Sequence, residues 1–311
     1  MSCASATTRC ASAKERRLPR RLGPYHRIVE RIDDRRAESI AFVKGHGTRN
    51  DFVLLPDPDG QRPLTAELAI ALCDRRSGIG ADGVLRVVRS AADPAAAAMA
   101  DAATWFMDYR NADGSLSETC GNGLRVFARY LVDSHLVEPG ELSIATRGGV
   151  VTVWLEAAGD VTVDMGAPQP SANATATVDG EVFEGVAVSM GNPHLVCITD
   201  LDVASLDLTT MPDVDGLAFP DGVNVEFVNI VGDRHAQMRV YERGSGETQS
   251  CGSGACAVVA AMAALDGDRN GEYIVDVPGG RLSIRFDDVG HLLLRGPAVV
   301  VADGTFRVDQ N

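Results

Sequence analysis

No apolar run in the 311 residues reaches the roughly 18 that a membrane-crossing helix needs, and the start has no apolar signal-peptide core. Cations are scarce as well: 29 Lys and Arg face 43 Asp and Glu, a net charge of −14. Binders of nucleic acid or of anionic membrane surfaces draw affinity from Lys and Arg, so neither partner is expected. There is no C-x-x-C and no Cys/His group at zinc spacing. Nor is there a pyridoxal lysine context or a nucleotide fingerprint; Gly78-Ile79-Gly80 is too short a match to a dinucleotide loop. No metal and no organic cofactor is therefore expected. The seven cysteines, at 3, 10, 73, 120, 197, 251 and 256, are odd in number in a long chain. That argues against a disulfide scaffold and for a reducing, cytoplasmic setting.

What is present suffices for a folded protein. The chain is 45% hydrophobic, and its length suits two domains of roughly 150 residues. Residues 1–38 differ from the rest: ten Lys/Arg stand against five Asp/Glu, with little apolar periodicity. They read as a disordered, dispensable extension. From Ser39 onward short apolar runs alternate with turns. Strands are expected at 41–43, 52–55, 84–88, 105–109, 150–155 and 161–165. A second set is expected at 185–190, 195–199, 224–230, 237–242, 273–277, 282–286 and 292–295. Residues 66–75 read as a helix capped by Thr65. Residues 57–63 and 211–222 read as loops, and the alanine-rich 91–102 as either loop or helical turn.

One internal repeat carries the functional signal. Cys120-Gly121-Asn122-Gly123 and Cys251-Gly252-Ser253-Gly254 each lead into an apolar helix, 131 residues apart. The second helix, 255–265, has no charge on any face and must be buried. The reading is an α/β, α+β-like fold of two similar pseudo-symmetric domains. Each is a strand layer wrapped round a central helix, with the site in the cleft between them. The first half spans 39–165, completed by a C-terminal strand at 298–311, and the second spans 166–297. A thiol at a helix start has its anion stabilised by the helix dipole and nearby N–H groups. The following glycines let backbone amides cradle a carboxylate. Two such sites facing one another suit deprotonation of carbon beside a carboxylate and reprotonation from the opposite face. Cys73, Cys197 and Cys256 lie in apolar segments and read as core.

The chain resembles the diaminopimelate epimerase family. The likeness rests on Lys44 to Phe52, Gly78 to Gly83, Asn111 to Ser115, Cys120 to Gly123, Gly191 to His194 and Glu242 to Gly254, in order. It implies cofactor-independent conversion of LL- to meso-diaminopimelate, in lysine and peptidoglycan precursor synthesis, with Cys120 and Cys251 as the acid/base pair. It implies that Gly121, Asn122, Gly252 and Ser253 hold the reacting carboxylate. Asn50, Asn111, Asn192, Asn224, Glu242 and Arg243 would bind substrate, and His194 and Glu242 would tune the thiols. A homodimer is the family's common assembly. Gly45, Thr48-Arg49 and Gly83 depart from the family pattern. The alternatives are a proline-racemase-like or other amino-acid racemase, and a thiol redox or binding protein without catalysis.

Overall fold

A computed structural model describes residues 39–308, so the expectations for 1–38 and for the last three residues lie outside the described part. The short apolar runs assemble into two eight-stranded ribbons. The first runs, neighbour to neighbour, through β18 (Val299–Arg307), β1 (Ser39–Gly47), β2 (Asn50–Pro56), β3 (Gly83–Arg89), β4 (Trp105–Asn111), β5 (Gly140–Thr146), β6 (Gly149–Leu155) and β7 (Val161–Asp164). The second runs through β8 (Gln169–Val178), β9 (Glu181–Ser189), β10 (Pro193–Ile198), β12 (Asn224–Gly232), β13 (His235–Glu242), β15 (Glu272–Val277), β16 (Gly280–Phe286) and β17 (Leu292–Gly296).

Strand directions repeat step for step. In both ribbons the successive pairings are antiparallel, antiparallel, parallel, antiparallel, parallel, antiparallel, antiparallel. A parallel step needs a long crossover. The second parallel step of each ribbon is made by a helix: α2 (Gly121–Asp133) between β4 and β5, and α3 (Gly252–Asp266) between β13 and β15. The outermost strand of the first ribbon, β18, comes from the far end of the chain. The ribbons join through equivalent strands, β7 antiparallel to β17.

Each helix is enclosed by its own ribbon. Residues 121–132 of α2 are all buried, among Phe52, Leu54, Leu85 and Trp105 of one core. α3 fills the other, against Val196, Met238, Val275 and Leu294, and stops at Gly267 in the left-handed conformation. The result is a sheet-dominated α+β fold with few helices. α1 (Ala66–Cys73) has the expected Thr65 cap, whose hydroxyl accepts from the Leu68 amide at 3.2 Å. It ends two residues early because Asp74 turns to an extended ψ. The 91–102 stretch forms two 3-10 turns, Ser90–Ala92 and Ala97–Met99. The 211–222 loop contributes a two-residue strand, β11 (Asp213–Val214), which pairs with β8. A three-residue strand, β14 (Gly246–Thr248), pairs with β13. Among the described residues no helix is long and apolar enough to cross a membrane.

Candidate active site

Both motif cysteines occupy the same structural position: each is the N-cap of its helix. Cys120 Sγ accepts from the Gly123 amide, and Cys251 Sγ from the Gly254 amide, both at 3.4 Å. Sulfur replaces the usual cap oxygen, so each thiol sits at the positive end of a helix macrodipole. The two helix starts meet. A Cβ built on Gly121 and one built on Gly252 would both lie 3.1 Å from Leu294 Cδ2. A larger residue at either place would press on the Leu294 side chain, and at Gly121 also on Met165, whose Sδ would lie 2.8 Å away.

A polar network ties the two starts together. Asn122 Nδ2 donates to Asn50 Oδ1 at 3.1 Å and to the Ser250 carbonyl at 3.0 Å, so it reaches from one motif to the residue before Cys251. Asn50 Nδ2 donates to Asp82 Oδ2 at 2.8 Å, and the Cys120 thiol lies 3.9 Å from Asn50 Oδ1. Asn111 closes β4 opposite Gly83, beside Asp82, and donates to Ser115 Oγ at 3.0 Å. In the second ribbon, Asn224 Oδ1 accepts from the Arg243 amide at 2.9 Å. The Arg243 side chain is exposed, holds only the Asp221 carbonyl at 2.8 Å, and forms no ion pair among the described residues. Its planar fork therefore remains open to an added carboxylate. Ser253 Oγ lies 3.5 Å from Cys251 Sγ, and Thr248 donates to Glu242.

The electrostatics depart from the expectation that the helix starts stabilise the thiol anions. Burial pushes the Cys120 thiol up to about 11; the Gly123 and Asn122 amides and the Arg125 cation pull it down less strongly. Cys251 is also pushed up, by burial first and then by the negative charges of Glu242 and Glu226. Glu242 is itself raised, chiefly by burial. At both thiols desolvation by burial outweighs the helix-start amides. Alkylation of Cys120 by iodoacetamide is accordingly expected to accelerate about tenfold per pH unit between about pH 7 and about pH 9. A rate already level near neutrality would contradict this.

His194 and Asn192 stand together. The fully buried His194 ring has Nδ1 2.6 Å from Glu226 Oε1 and Nε2 3.0 Å from Asn192 Oδ1. One donor atom each of His194, Glu226 and Cys251 lies within 4.8 Å of the others, a spacing that could hold a metal. Both ring nitrogens are already engaged by hydrogen bonds, which leaves the histidine poorly disposed to ligate. Sequence reasoning did not single out Glu226, Ser250 or the buried Arg125, whose Nη2 donates to Thr48 Oγ1 at 3.2 Å.

The departures from the family pattern have local causes. A Cβ on Gly83 would fall 2.5 Å from the Tyr109 ring, and one on Gly45 would fall 2.8 Å from Val126 Cγ1. Neither position has room for a side chain. Thr48 and Arg49 form the two-residue β1–β2 turn with φ of 48° and 62°, the positive pair of a type I′ hairpin. A β-branched residue is strained there. Thr48 Oγ1 is buried and bonded to Ser250 Oγ at 2.6 Å, which holds the turn against the second half.

Comparison with known proteins gives the same family as the motifs. A family model described as diaminopimelate epimerase matches residues 42–170 and 186–301. The diaminopimelate epimerase of Streptomyces coelicolor is 54% identical over 276 residues, covering 86% of this chain and 95% of that protein. That of Acidothermus cellulolyticus is 51% identical over 292 residues, covering 86% and 96%. Among solved structures, a PhzF-family phenazine biosynthesis protein from Bacillus anthracis superposes with a TM-score of 0.66 at 17% identity, over 87% of this chain and 100% of that one. That likeness speaks for the fold alone. With its motifs in order, the family model matched across most of its length and relatives more than half identical, this chain belongs to the diaminopimelate epimerase family.

Proposed function

We propose that this isomerase converts LL- to meso-diaminopimelate by a two-base reaction between Cys120 and Cys251. The observation that carries the reading is the pair of cysteine N-caps on helices that start against one leucine. One sulfur, as thiolate, takes the α-proton and becomes a thiol. The opposite thiol gives its proton to the other face of the same carbon and becomes a thiolate. The substrate keeps its composition and changes configuration. Negative charge that develops on the reacting carboxylate falls on the first-turn amides of Gly121, Asn122, Gly252 and Ser253, which have no carbonyl partner in a helix. Asn50, Asn111, Asn192 and Asn224 position the rest of the substrate with Glu242, and His194 and Glu242 set the thiol environment.

Arg243 holds the distal carboxylate in this reading. Arg243→Lys keeps the charge and loses the fork, so kcat/KM for diaminopimelate is expected to fall about tenfold or more. Unchanged kinetics would remove Arg243 from the site. The division into 39–165 with 298–311, and 166–297, follows the repeated strand order. The five described cysteines are free, in keeping with a cytoplasmic enzyme, and a homodimer is the expected assembly. The deciding experiment is NMR of diaminopimelate with the pure protein in D₂O. Deuterium should enter at the α-carbon as the LL and meso forms interconvert; no exchange would end this reading.

A further inference from the structure

We propose that the Tyr109 hydroxyl is a further substrate-binding group of this site, standing where a side chain at position 83 would stand and hydrogen-bonding an amino-acid head group of the substrate. This rests on the proposed reading of the site and adds a contact on its first-ribbon wall. Gly83 faces Phe52 in the parallel ladder of the first ribbon as Asn224 faces His194 in the second. Two places along these strands come Leu85 and Glu226, and opposite them stand Tyr109 and Val240. The second ribbon thus has a polar side chain, Asn224, at the start of its strand and an apolar one, Val240, on the neighbouring strand. The first ribbon reverses this: it has no side chain at position 83 and a tyrosine at 109.

The tyrosine fills the place that the glycine leaves. A Cβ on Gly83 would lie 2.5 Å from Tyr109 Cε2 and 3.3 Å from the Tyr109 hydroxyl oxygen. The ring therefore leans toward Gly83, and so toward Asn111, which pairs with Gly83. Packing fixes the ring: Phe52 meets it edge-on with centroids 5.9 Å apart, and both belong to the core around α2. The hydroxyl is held by nothing. Tyr109 is only 7% exposed, and its oxygen makes no hydrogen bond among the described residues. Yet that oxygen is not sealed inside the protein as the unpartnered Arg125 Nη1 is, so it opens on the cleft. Groups from both halves act on it there. Burial first, then Cys120 of its own ribbon, Glu242 of the other and Asp82, hold the phenol well above its usual value, so it keeps its proton. A neutral hydroxyl offers one donor and two acceptor lone pairs. It suits the ammonium and the carboxylate of an amino-acid head group alike. A near-buried polar atom without a partner is costly until a ligand completes it. Because the ring is already fixed, little ordering is needed when the ligand arrives.

Tyr109→Phe removes the oxygen and keeps the ring. In the full-length protein its KM for diaminopimelate should rise about tenfold or more, with a smaller change in kcat, because a hydrogen bond to a charged group is lost. The variant should melt within a few degrees of the parent, since the hydroxyl holds nothing else in the fold. A second readout is spectroscopic. In protein labelled with tyrosine ¹³Cζ, the resonance missing from Tyr109→Phe should move when diaminopimelate is added to the parent. A parental KM in Tyr109→Phe, a loss confined to kcat, or an unmoved Tyr109 resonance under saturating diaminopimelate overturns the proposal. So does a melting temperature lower by about 10 °C or more, which would make the hydroxyl a part of the fold. Failure of the epimerase reading is distinct from all of these, because the parent itself would then show no α-deuteration.

Discussion

Cys120→Ala and Cys251→Ala are each expected to lose epimerisation by about 10³-fold or more, because inversion needs a proton carrier on both faces of one carbon. Each thiol also caps a helix through its sulfur. Alanine therefore removes two things together, and cap loss alone costs only about 1 kcal/mol. Serine separates them. Cys120→Ser and Cys251→Ser restore a hydroxyl, a good cap acceptor, and should melt within a few degrees of the parent. They should nonetheless stay inactive, since a hydroxyl is a far weaker base at neutral pH. The single variants should differ from a dead protein in one further way. With one sulfur left, the α-hydrogen of only one configuration remains within reach, so solvent deuterium enters that isomer slowly without inversion. Full interconversion in either alanine variant, measured in reductant, would end the two-base reading.

The repeat was the most legible part of the site. Two C-G-x-G stretches ahead of apolar helices place both cysteines, and the strand patterns locate most of the strands, though not their order in the ribbons. Glu226 was illegible for a physical reason. Asn224-Val225-Glu226-Phe227-Val228 reads as a strand with its acid facing water, yet all five residues are buried, with the helix on one face and further chain on the other. Arg125 was hidden in the same way. Arg125 and Arg129 sit four apart on α2 and read as a polar stripe, but the ribbon closes round the whole helix. Arg129 is satisfied by the carbonyls of Glu156, Ala157 and Gly159 in the β6–β7 turn. β5 and β8 were missed although each alternates in part: the apolar positions of β8 are mostly alanine, and β8 is exposed along most of its length. The glycines at 45 and 83 could be noticed as departures, but the atoms that forbid a side chain there come from α2 and β4.

Arg125→Met is expected to leave stability unchanged or improved while lowering kcat/KM at least about tenfold, close to 1.4 kcal/mol. The guanidinium is fully buried, forms no ion pair among the described residues, and has Nη1 without a hydrogen-bond partner. Burial lowers its pKa only to about 10, so it remains a cation at neutral pH. An unpaired buried charge is expensive to keep, and methionine fills much of the same volume without that cost. The corresponding position of α3, five residues after its cysteine, is Cys256, a small buried thiol. The architecture therefore tolerates a neutral residue there. What the cation does supply lies on the functional side. It favours the Cys120 thiolate, and it holds Thr48 Oγ1, which is bonded to Ser250 beside Cys251. Arg125→Lys should fall between the two, keeping the charge while losing the second arm to the Pro297 carbonyl. Parental activity in Arg125→Met would show that the cation does not serve the thiol. A loss of about 3 kcal/mol or more in its stability would instead make Arg125 a clamp between the halves, since only a net-favourable interaction costs that much to remove.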